Sequence, residues 1–307
     1  MVFTLEDIFS SIYRVADTLP IESLAKSTRF GEHKSQFKGD GHDFDRMTEY
    51  DPQSHVISQI DWRAMTRDKV YVRESRVTKD FSVLVLADLS TSMTFGVESQ
   101  DKERMLLEVF GSLGLACFHS QDPMGLIGFA EDIIFDEQPK VGEDQIYYLT
   151  SQLYDFFEGL DSDGRGKLNR KKTDFYKAFD FIRRTYANKQ CFVVVISDFV
   201  GLAELTSLEF LNDVTSHHEV VFVFLDDPHE FDFGGLGYVH QEDIETGRMR
   251  VVSRLKNRQM ELEIRGRRKQ FRQSLQEVGI DSIVLEYGKH LERLYRFFVG
   301  RYESFKS

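Results

Sequence analysis

The amino-acid sequence predicts an α/β fold: a doubly wound, mainly parallel sheet flanked by helices, of the Rossmann type. Three apolar runs support this prediction, and each ends in an aspartate: "FSVLVLAD", "CFVVVISD" and "EVVFVFLDD". Unbroken apolar runs are typical of strands that helices cover on both faces. Segments with helical spacing of apolar residues separate the runs, and this alternation favours right-handed crossovers in a parallel sheet.

The elements follow one another from residue 81 onward. After the first strand we expect a helix in "KERMLLEVFGSLGLACFHS", a hairpin of short strands in "MGLIGFA" and "DIIFDE", and a helix in "EDQIYYLTSQLYDFFEGL". The polar stretch "DSDGRGKLNRKK" indicates a loop. The next helix opens with Thr173 and Asp174, residue types that cap helices.

The second and third apolar runs are joined by a predicted helix in "LAELTSLEFLNDVTSHH". After the third run we expect a hairpin with its turn near Glu245 to Gly247, and then a basic helix. A last strand in "SIVLEYG" and a helix in "HLERLYRFFVGRYESF" complete the predicted domain.

The first eighty residues differ in composition from the rest. A helix is expected in "LEDIFSSIYRVADTL", and the stretch after it is rich in charge, glycine and aromatic residues, with "KVYVRE" as a short strand. We therefore predict that residues 1–80 are a helix and an extension of short strands and loops packed on the main domain. We predict that residues 81–307 form that α/β domain.

Several residues of the extension are candidates for binding roles, and for each of them we favour a structural role. His33 and His42 flank glycine-rich turns, and Trp62, in the segment Asp61-Trp62-Arg63, is the single tryptophan and a candidate core anchor. Three arginines are expected to pair with acids, with partner binding as the alternative: Arg63, Arg67 and Arg73.

Composition and charge narrow the classes of function. Of 307 residues, 51 are acids and 39 are bases, and the net charge of -12 opposes general binding to nucleic acid or anionic membranes. No apolar run approaches the roughly 18 residues of a membrane span, and the start does not resemble a secretory signal, so we expect a cytoplasmic protein. Cys117 and Cys191 lie in apolar segments and are expected to be buried free thiols.

One segment is basic, in contrast to the negative net charge of the chain. Between Arg254 and Arg272 the sequence is "RLKNRQMELEIRGRRKQFR". We interpret it as a helix with a solvated basic face on which Glu261 and Glu263 pair locally. The alternative is a binding surface for an anionic ligand or nucleic acid through residues 254–272.

Oxygen-bearing side chains follow two of the predicted strands. Ligands of open parallel sheets gather at the carboxyl ends of the strands. Asp88, Ser90 and Ser92 follow the first run, Asp198 follows the second, and Thr173 begins the helix between them. Two carboxylates and three hydroxyls form an all-oxygen set suited to Mg²⁺ or Mn²⁺, and Mg²⁺ usually keeps waters and an open position.

This arrangement resembles the metal-ion-dependent adhesion site of von Willebrand factor A domains. That site combines a D-x-S-x-S loop with a later Thr and a later Asp, which here are Thr173 and Asp198. The element order from residue 81 to about residue 300 is also similar to that family. The resemblance implies an A-like domain whose metal is held by Asp88, Ser90, Ser92, Thr173 and Asp198.

A second resemblance covers nearly the whole chain. The segments "FGEHKSQFKGDGHDFDRMTEYDP", "IDWRAMTRDKVYVRE" and "VLVLADLSTSM" look like the bacterial domain-of-unknown-function family 58, DUF58. Genes of that family commonly neighbour genes of MoxR-type AAA+ ATPases. The resemblance therefore implies a MoxR-type ATPase as partner, in chaperone-like assembly or stress response.

These observations favour a metal-dependent protein–protein interaction module over an enzyme. An open metal position can accept an Asp or Glu carboxylate from a partner. No general base, nucleophile or phosphate-binding glycine loop is recognisable beside the predicted site. The alternatives are a metal-assisted hydrolase, and a binder of anionic ligands or nucleic acid through the basic helix.

Overall fold

A computed structural model of the protein describes residues 3–16, 43–49, 70–76, 82–94, 100–162, 173–200, 209–227, 238–242 and 249–304. The chain divides into two compact units. Met1–Phe30 and Ser82–Ser307 form the larger unit, and Gly31–Phe81 form the smaller.

The helices and strands of the described residues alternate along most of the chain. In chain order they are α1 (Leu5–Ala16), β1 (Asp43–Glu49), β2 (Tyr71–Arg76), β3 (Ser82–Asp88), α2 (Gln100–Ser120), β4 (Met124–Phe129), β5 (Ile133–Lys140), α3 (Glu143–Ser162), α4 (Phe175–Thr185), β6 (Cys191–Ser197), α5 (Glu209–His217), β7 (Glu219–Asp226), β8 (Tyr238–Glu242), β9 (Met249–Ser253), α6 (Arg254–Glu277), β10 (Asp281–Glu286) and α7 (His290–Ser304).

Within the described ranges, six strands of the larger unit form one sheet in the order β10-β7-β6-β3-β4-β5. Neighbouring strands run parallel except for β4 and β5, which form the antiparallel hairpin that the sequence predicts. The pairs β1–β2 and β8–β9 are separate antiparallel ribbons, the first in the smaller unit. The predicted α/β fold with a mainly parallel sheet is therefore confirmed.

Helices cover both faces of the sheet. On one face Leu84 of β3 belongs to a core cluster with Phe179 of α4 and Phe271 of α6. On the other face Phe192 of β6 meets Phe298 of α7 edge to face, with ring centroids 6.2 Å apart. The central strands β3 and β6 are buried along their whole length, as continuous apolar strands in a doubly wound sheet must be.

Helix α2 is anchored along its length. Glu108 of α2 lies 2.6 Å, Oε2 to Nε2, from His290 at the start of α7, and both side chains are buried. A Cβ at Gly111 would lie only 2.2 Å from Cδ1 of Ile12, so glycine allows α1 to approach α2 this closely. These contacts fix the helix whose first turns lie beside the strand ends.

The start of α4 differs from the expectation by two residues. The sequence predicts that Thr173 begins the helix, but the helix begins at Phe175 and Asp174 is its N-cap. The Asp174 side chain accepts the backbone N–H of Lys177 at 3.0 Å, which satisfies a donor that the first turn of a helix leaves open. Thr173 is therefore free of the capping role and lies in the loop.

Some predictions fall on residues that the structure does not describe. These are the roles of His33, His42, the Asp61-Trp62-Arg63 segment and Arg67, the loop at 163–172 and the turn at 243–248. Helix α1 groups with the larger unit, and the division at residue 80 stays a prediction. In the part of the chain that is described, no helix is both long and apolar enough to cross a membrane.

The buried His218 makes the stability of the sheet depend on pH. Its Nδ1 accepts the backbone N–H of Cys191, the first residue of β6, at 3.2 Å. Burial, with the neighbouring His217 charge, lowers the pKa of His218 below its usual 6.5. The unfolded chain therefore binds a proton at a higher pH than the folded protein, so this contribution is complete above pH 6.5 and is lost as the pH falls through the lowered pKa.

We predict that His218→Asn weakens this pH dependence, because an amide oxygen can accept the same N–H without titrating. Urea unfolding at pH 7.5 and 5.5 measures the difference in the free energy of unfolding between the two pH values. We expect that difference to shrink by about 1 kcal/mol in the variant, because pH 5.5 lies one unit below the unfolded pKa of 6.5 and one such unit is worth at most about 1.4 kcal/mol. An identical pH dependence in the two proteins would contradict the assignment.

Candidate metal centre

Asp88 ends the central strand with its carboxylate inside the protein. It is 1% exposed, like the strand that precedes it. Its Oδ1 accepts the backbone N–H of Ser90 at 2.9 Å, and its Oδ2 accepts the Ser197 hydroxyl at 2.5 Å. The first bond closes a turn that an Asp side chain commonly forms with the backbone N–H two residues further on. The second joins the ends of the neighbouring strands β3 and β6.

Two serines connect Asp88's loop to the second carboxylate. Ser90 Oγ lies 3.1 Å from Ser92 Oγ, and Ser92 Oγ donates to Asp198 Oδ1 at 3.1 Å. A short 3-10 helix, Thr91–Thr94, turns the chain at this point. Both hydroxyls therefore lie beside the end of β6, which Asp198 directly follows.

Thr173 reaches the same point from the loop before α4. Its Oγ1 lies 3.3 Å from Asp88 Oδ2 and 3.5 Å from Oδ1. The backbone N–H of the next residue donates to the turn between β4 and β5 at 2.9 Å. The Phe175 ring stacks on Phe199, which follows Asp198, with centroids 5.2 Å apart and ring planes 8° apart. These contacts join the threonine segment to the Asp198 segment.

The structure thus brings together all the side chains that the sequence predicts as metal ligands. Ser92 is partly exposed, whereas the other members are buried, so the group meets solvent at Ser92. Their role as ligands stays a prediction. The members are Asp88, Ser90, Ser92, Thr173 and Asp198.

Sequence reasoning missed two groups at this centre, Ser197 and Lys102. Lys102 Nζ donates to Asp198 Oδ2 at 2.8 Å and to the Ser92 carbonyl at 3.2 Å, and the side chains of Lys102 and Asp198 are each 1% exposed. Ser197 was detectable because it immediately precedes Asp198 at the end of a buried strand. Lys102 carries no such signal, since it belongs to a charged run, "DKER", typical of a solvated helix start.

The pKa values of the two carboxyl groups are shifted in opposite directions. Burial, together with the charge of Asp198, raises the pKa of Asp88 to about 6, although hydrogen bonds from Ser197 and Ser90 favour the ionised form. Burial would also raise the pKa of Asp198, but the Lys102 ammonium, with Arg268, holds it below its usual value. The Lys102 ammonium therefore compensates the charge of Asp198, and the charge of Asp88 is the less compensated of the two.

The donor set fits a hard divalent cation. Carboxylate and hydroxyl oxygens are ligands that Mg²⁺ and Mn²⁺ accept. The Lys102 ammonium contacts one of the two buried carboxylates, that of Asp198, so the pair keeps a negative charge that burial penalises. Across the described ranges, no three His, Cys, Asp or Glu side chains cluster as metal ligands. A cation at this centre would therefore need hydroxyl oxygens as ligands in addition to the two carboxylates.

The basic helix, α6, contributes one residue near the centre. Arg268 is 8% exposed and its Nη1 donates to Asp226 Oδ1, at the end of β7, at 3.1 Å. Phe271 lies in the core, and Arg265 pairs with Glu261 at 2.9 Å, the local pairing that the sequence predicts for this acid. Anion binding by the outer face stays a prediction; its exposed bases include Arg265, Arg267, Lys269 and Arg272.

We predict that Asp88→Asn stabilises the metal-free protein. An asparagine oxygen can still accept the Ser90 N–H, while the buried charge beside Asp198 is removed. Because the pKa of Asp88 is raised from 3.8 to about 6, its ionisation costs stability above pH 6, and this cost disappears as the pH falls towards 4. Urea unfolding in EDTA at pH 8 should show a gain of about 1–3 kcal/mol.

Asp155, an exposed acid of α3, supplies the matched control. The substitution Asp155→Asn should change the free energy of unfolding by no more than about 0.5 kcal/mol. A loss of stability in Asp88→Asn at pH 8, or a gain that persists unchanged at pH 4, would contradict the charge argument.

Comparisons with solved structures find distant matches. The conserved hypothetical protein BatB from Bacteroides thetaiotaomicron is 15% identical, with 73% of this chain and 99% of that chain covered and a TM-score of 0.41. An aerotolerance-related membrane protein from Bacteroides fragilis NCTC 9343 is 18% identical, with the same coverage and TM-score. The pilus adhesin SpaC from Lactobacillus rhamnosus GG is 9% identical, over 73% of this chain and 30% of that chain, with a TM-score of 0.35.

Among curated proteins, none matches this chain. A family model does match: the one described as "Protein of unknown function DUF58" covers residues 48–274. This range is more than half of the chain and includes the whole candidate metal centre. The chain therefore belongs to the DUF58 family.

Proposed function

We propose that this protein is a metal-dependent protein–protein interaction module. The observation that carries the proposal is the convergence of two carboxylates and three hydroxyls, from three distant loops, beside a partly exposed serine. Mg²⁺ or Mn²⁺ would be held by Asp88, Ser90, Ser92, Thr173 and Asp198. A cation held by these residues would give a carboxylate of the partner a group to bind.

The charge of the centre supports this kind of ligand. Two acidic proteins repel each other at their surfaces, and this chain has a net charge of -12. A divalent cation beside the two carboxylates and the Lys102 ammonium would change the local charge from negative to positive and make an Asp or Glu side chain a favourable contact. The interaction would also be geometrically selective, since solvent reaches the group at Ser92.

Binding accounts for the centre with fewer assumptions than catalysis. Within the described residues, the amine of Lys102 is ion-paired with Asp198 at 2.8 Å and is a poor general base in that state. The Ser197 hydroxyl donates to Asp88, and its oxygen accepts the Phe199 N–H at 2.9 Å, so both of its functions are used in holding the loops. We therefore propose that the protein is not an enzyme.

The proposed partner is a MoxR-type AAA+ ATPase, in chaperone-like assembly or stress response in the cytoplasm. Membership of the DUF58 family supports this choice, through the gene neighbourhood that the family resemblance implies. On this proposal an exposed Asp or Glu of the ATPase approaches the centre at Ser92.

We predict that metal binding requires the convergent side chains. Isothermal titration of the metal-free protein with MnCl2 should show one site, and Asp88→Ala or Thr173→Ala should weaken it by tenfold or more, because each removes an oxygen ligand. The matched control Asp155→Ala should bind as the wild type does. Equal binding by all four proteins would contradict the proposed ligand set.

We predict that partner capture depends on the same groups. Tagged wild-type protein in a cell lysate with MgCl2 should retain a MoxR-type ATPase, and EDTA or Asp88→Ala should abolish its retention, whereas Asp155→Ala should not. ATPase capture that survives EDTA and Asp88→Ala would contradict the proposal. A nucleic-acid ligand whose binding is unaffected by Asp88→Ala and falls steeply with salt would indicate the outer face of α6 instead.

A further inference from the structure

Lys102 is an internal cation placed at the candidate metal centre. Its Nζ lies 2.8 Å from Asp198 Oδ2 and 3.2 Å from the Ser92 carbonyl oxygen. Both members of the ion pair are 1% exposed, so water screens the charges little. We infer that Lys102 limits the metal affinity of the centre, sets its charge when metal is bound, and so selects a singly charged anion as the ligand. This inference rests on the proposed function.

Charge balance is the first step. Asp88 and Asp198 are two negative charges, and Lys102 cancels one of them. Arg268 pairs with Asp226 and leaves the balance unchanged. Without a metal the centre thus carries one negative charge, and with a divalent cation it carries one positive charge. One carboxylate from a partner brings the loaded centre to neutrality.

Without the lysine the same arithmetic gives a different ligand preference. A centre of two uncompensated carboxylates attracts a divalent cation more strongly, and becomes neutral when the cation is bound. A neutral buried centre has no net attraction for a carboxylate, whose desolvation would be uncompensated. Lys102 therefore lowers the affinity of the centre for the metal and raises the affinity of the metal-loaded centre for an anion.

Geometry gives Lys102 a positioning role as well. By holding Asp198 Oδ2, the ammonium leaves Oδ1 on the side of the Ser92 hydroxyl, which donates to it at 3.1 Å. The backbone N–H of Val200 donates to the same Oδ1 at 3.1 Å. The carboxylate is thus fixed in one orientation, with Oδ1 on the side of the serines.

The experiment compares wild type with Lys102→Met, Lys102→Gln and Lys102→Arg. Electron paramagnetic resonance of Mn²⁺ gives the metal affinity, and water-proton relaxation of the Mn²⁺-loaded proteins, titrated with sodium acetate or with neutral acetamide, reports anion binding. We expect both neutral variants to bind Mn²⁺ about tenfold or more tightly than wild type, and acetate about tenfold or more weakly. Lys102→Arg should resemble wild type, and acetamide should not distinguish the proteins.

A double variant separates charge from structure. Lys102→Met with Asp198→Asn removes one charge of each sign, so its centre keeps the wild-type net charge. Because Asp198→Asn also changes a proposed metal ligand, the Mn²⁺ affinity of the double variant is measured first and acetate is titrated at saturating Mn²⁺. Under that condition the double variant should recover the acetate binding that Lys102→Met loses, which a merely structural role of the lysine would not produce. If Lys102→Met fails to fold in EDTA, the double variant and Lys102→Gln provide the same comparison.

The outcomes are distinguishable. If wild type binds Mn²⁺ and the neutral variants bind it equally or more weakly, or keep full acetate binding, the role of Lys102 is wrong while the proposed function stands. If neither wild type nor any Lys102 variant binds Mn²⁺, the proposed function itself fails, and the inference fails with it. If the neutral variants bind Mn²⁺ but wild type does not, Lys102 replaces the metal, and the proposed loaded centre is wrong.

Discussion

The burial of two carboxylates at the ends of neighbouring parallel strands is the constraint on which the centre depends. Asp88 and Asp198 follow β3 and β6 and are each 1% exposed. Like charges in a poorly screened interior are costly unless donors and cations compensate them. The serine hydroxyls, the Thr173 hydroxyl and the Lys102 ammonium supply that compensation. The loops have their observed paths because these groups must reach the carboxylates.

Aromatic packing beneath the loops makes this polar arrangement possible. Phe199 stacks on Phe175 and lies 4.2 Å, centroid to centroid, from Phe224. Its φ of 51° is in the left-handed region, which costs a residue other than glycine about 1 kcal/mol or more. The buried ring and the N–H donated to Ser197 hold it there. Conformational strain therefore lies next to Asp198, one member of the acidic pair.

Much of the fold was accessible to sequence reasoning because burial leaves a strong pattern. A strand covered on both faces must be apolar at every position, and β3, β6 and β7 show that pattern. The start of α4 was placed two residues early, since Thr173 and Asp174 are equally good cap types and only backbone geometry shows that Asp174 is the cap. Local rules identify an element more reliably than its first residue.

By itself, the sequence determined the α/β class, the polar residues at the strand ends and membership of the DUF58 family. These properties depend on residue type and order along the chain. Only the tertiary structure decided which groups share a buried space. Lys102 belongs to a run of charges that looks solvated, yet the packing of α2 against the sheet places its ammonium on Asp198. Such a contact depends on distances between segments 96 residues apart, for which local sequence carries no signal.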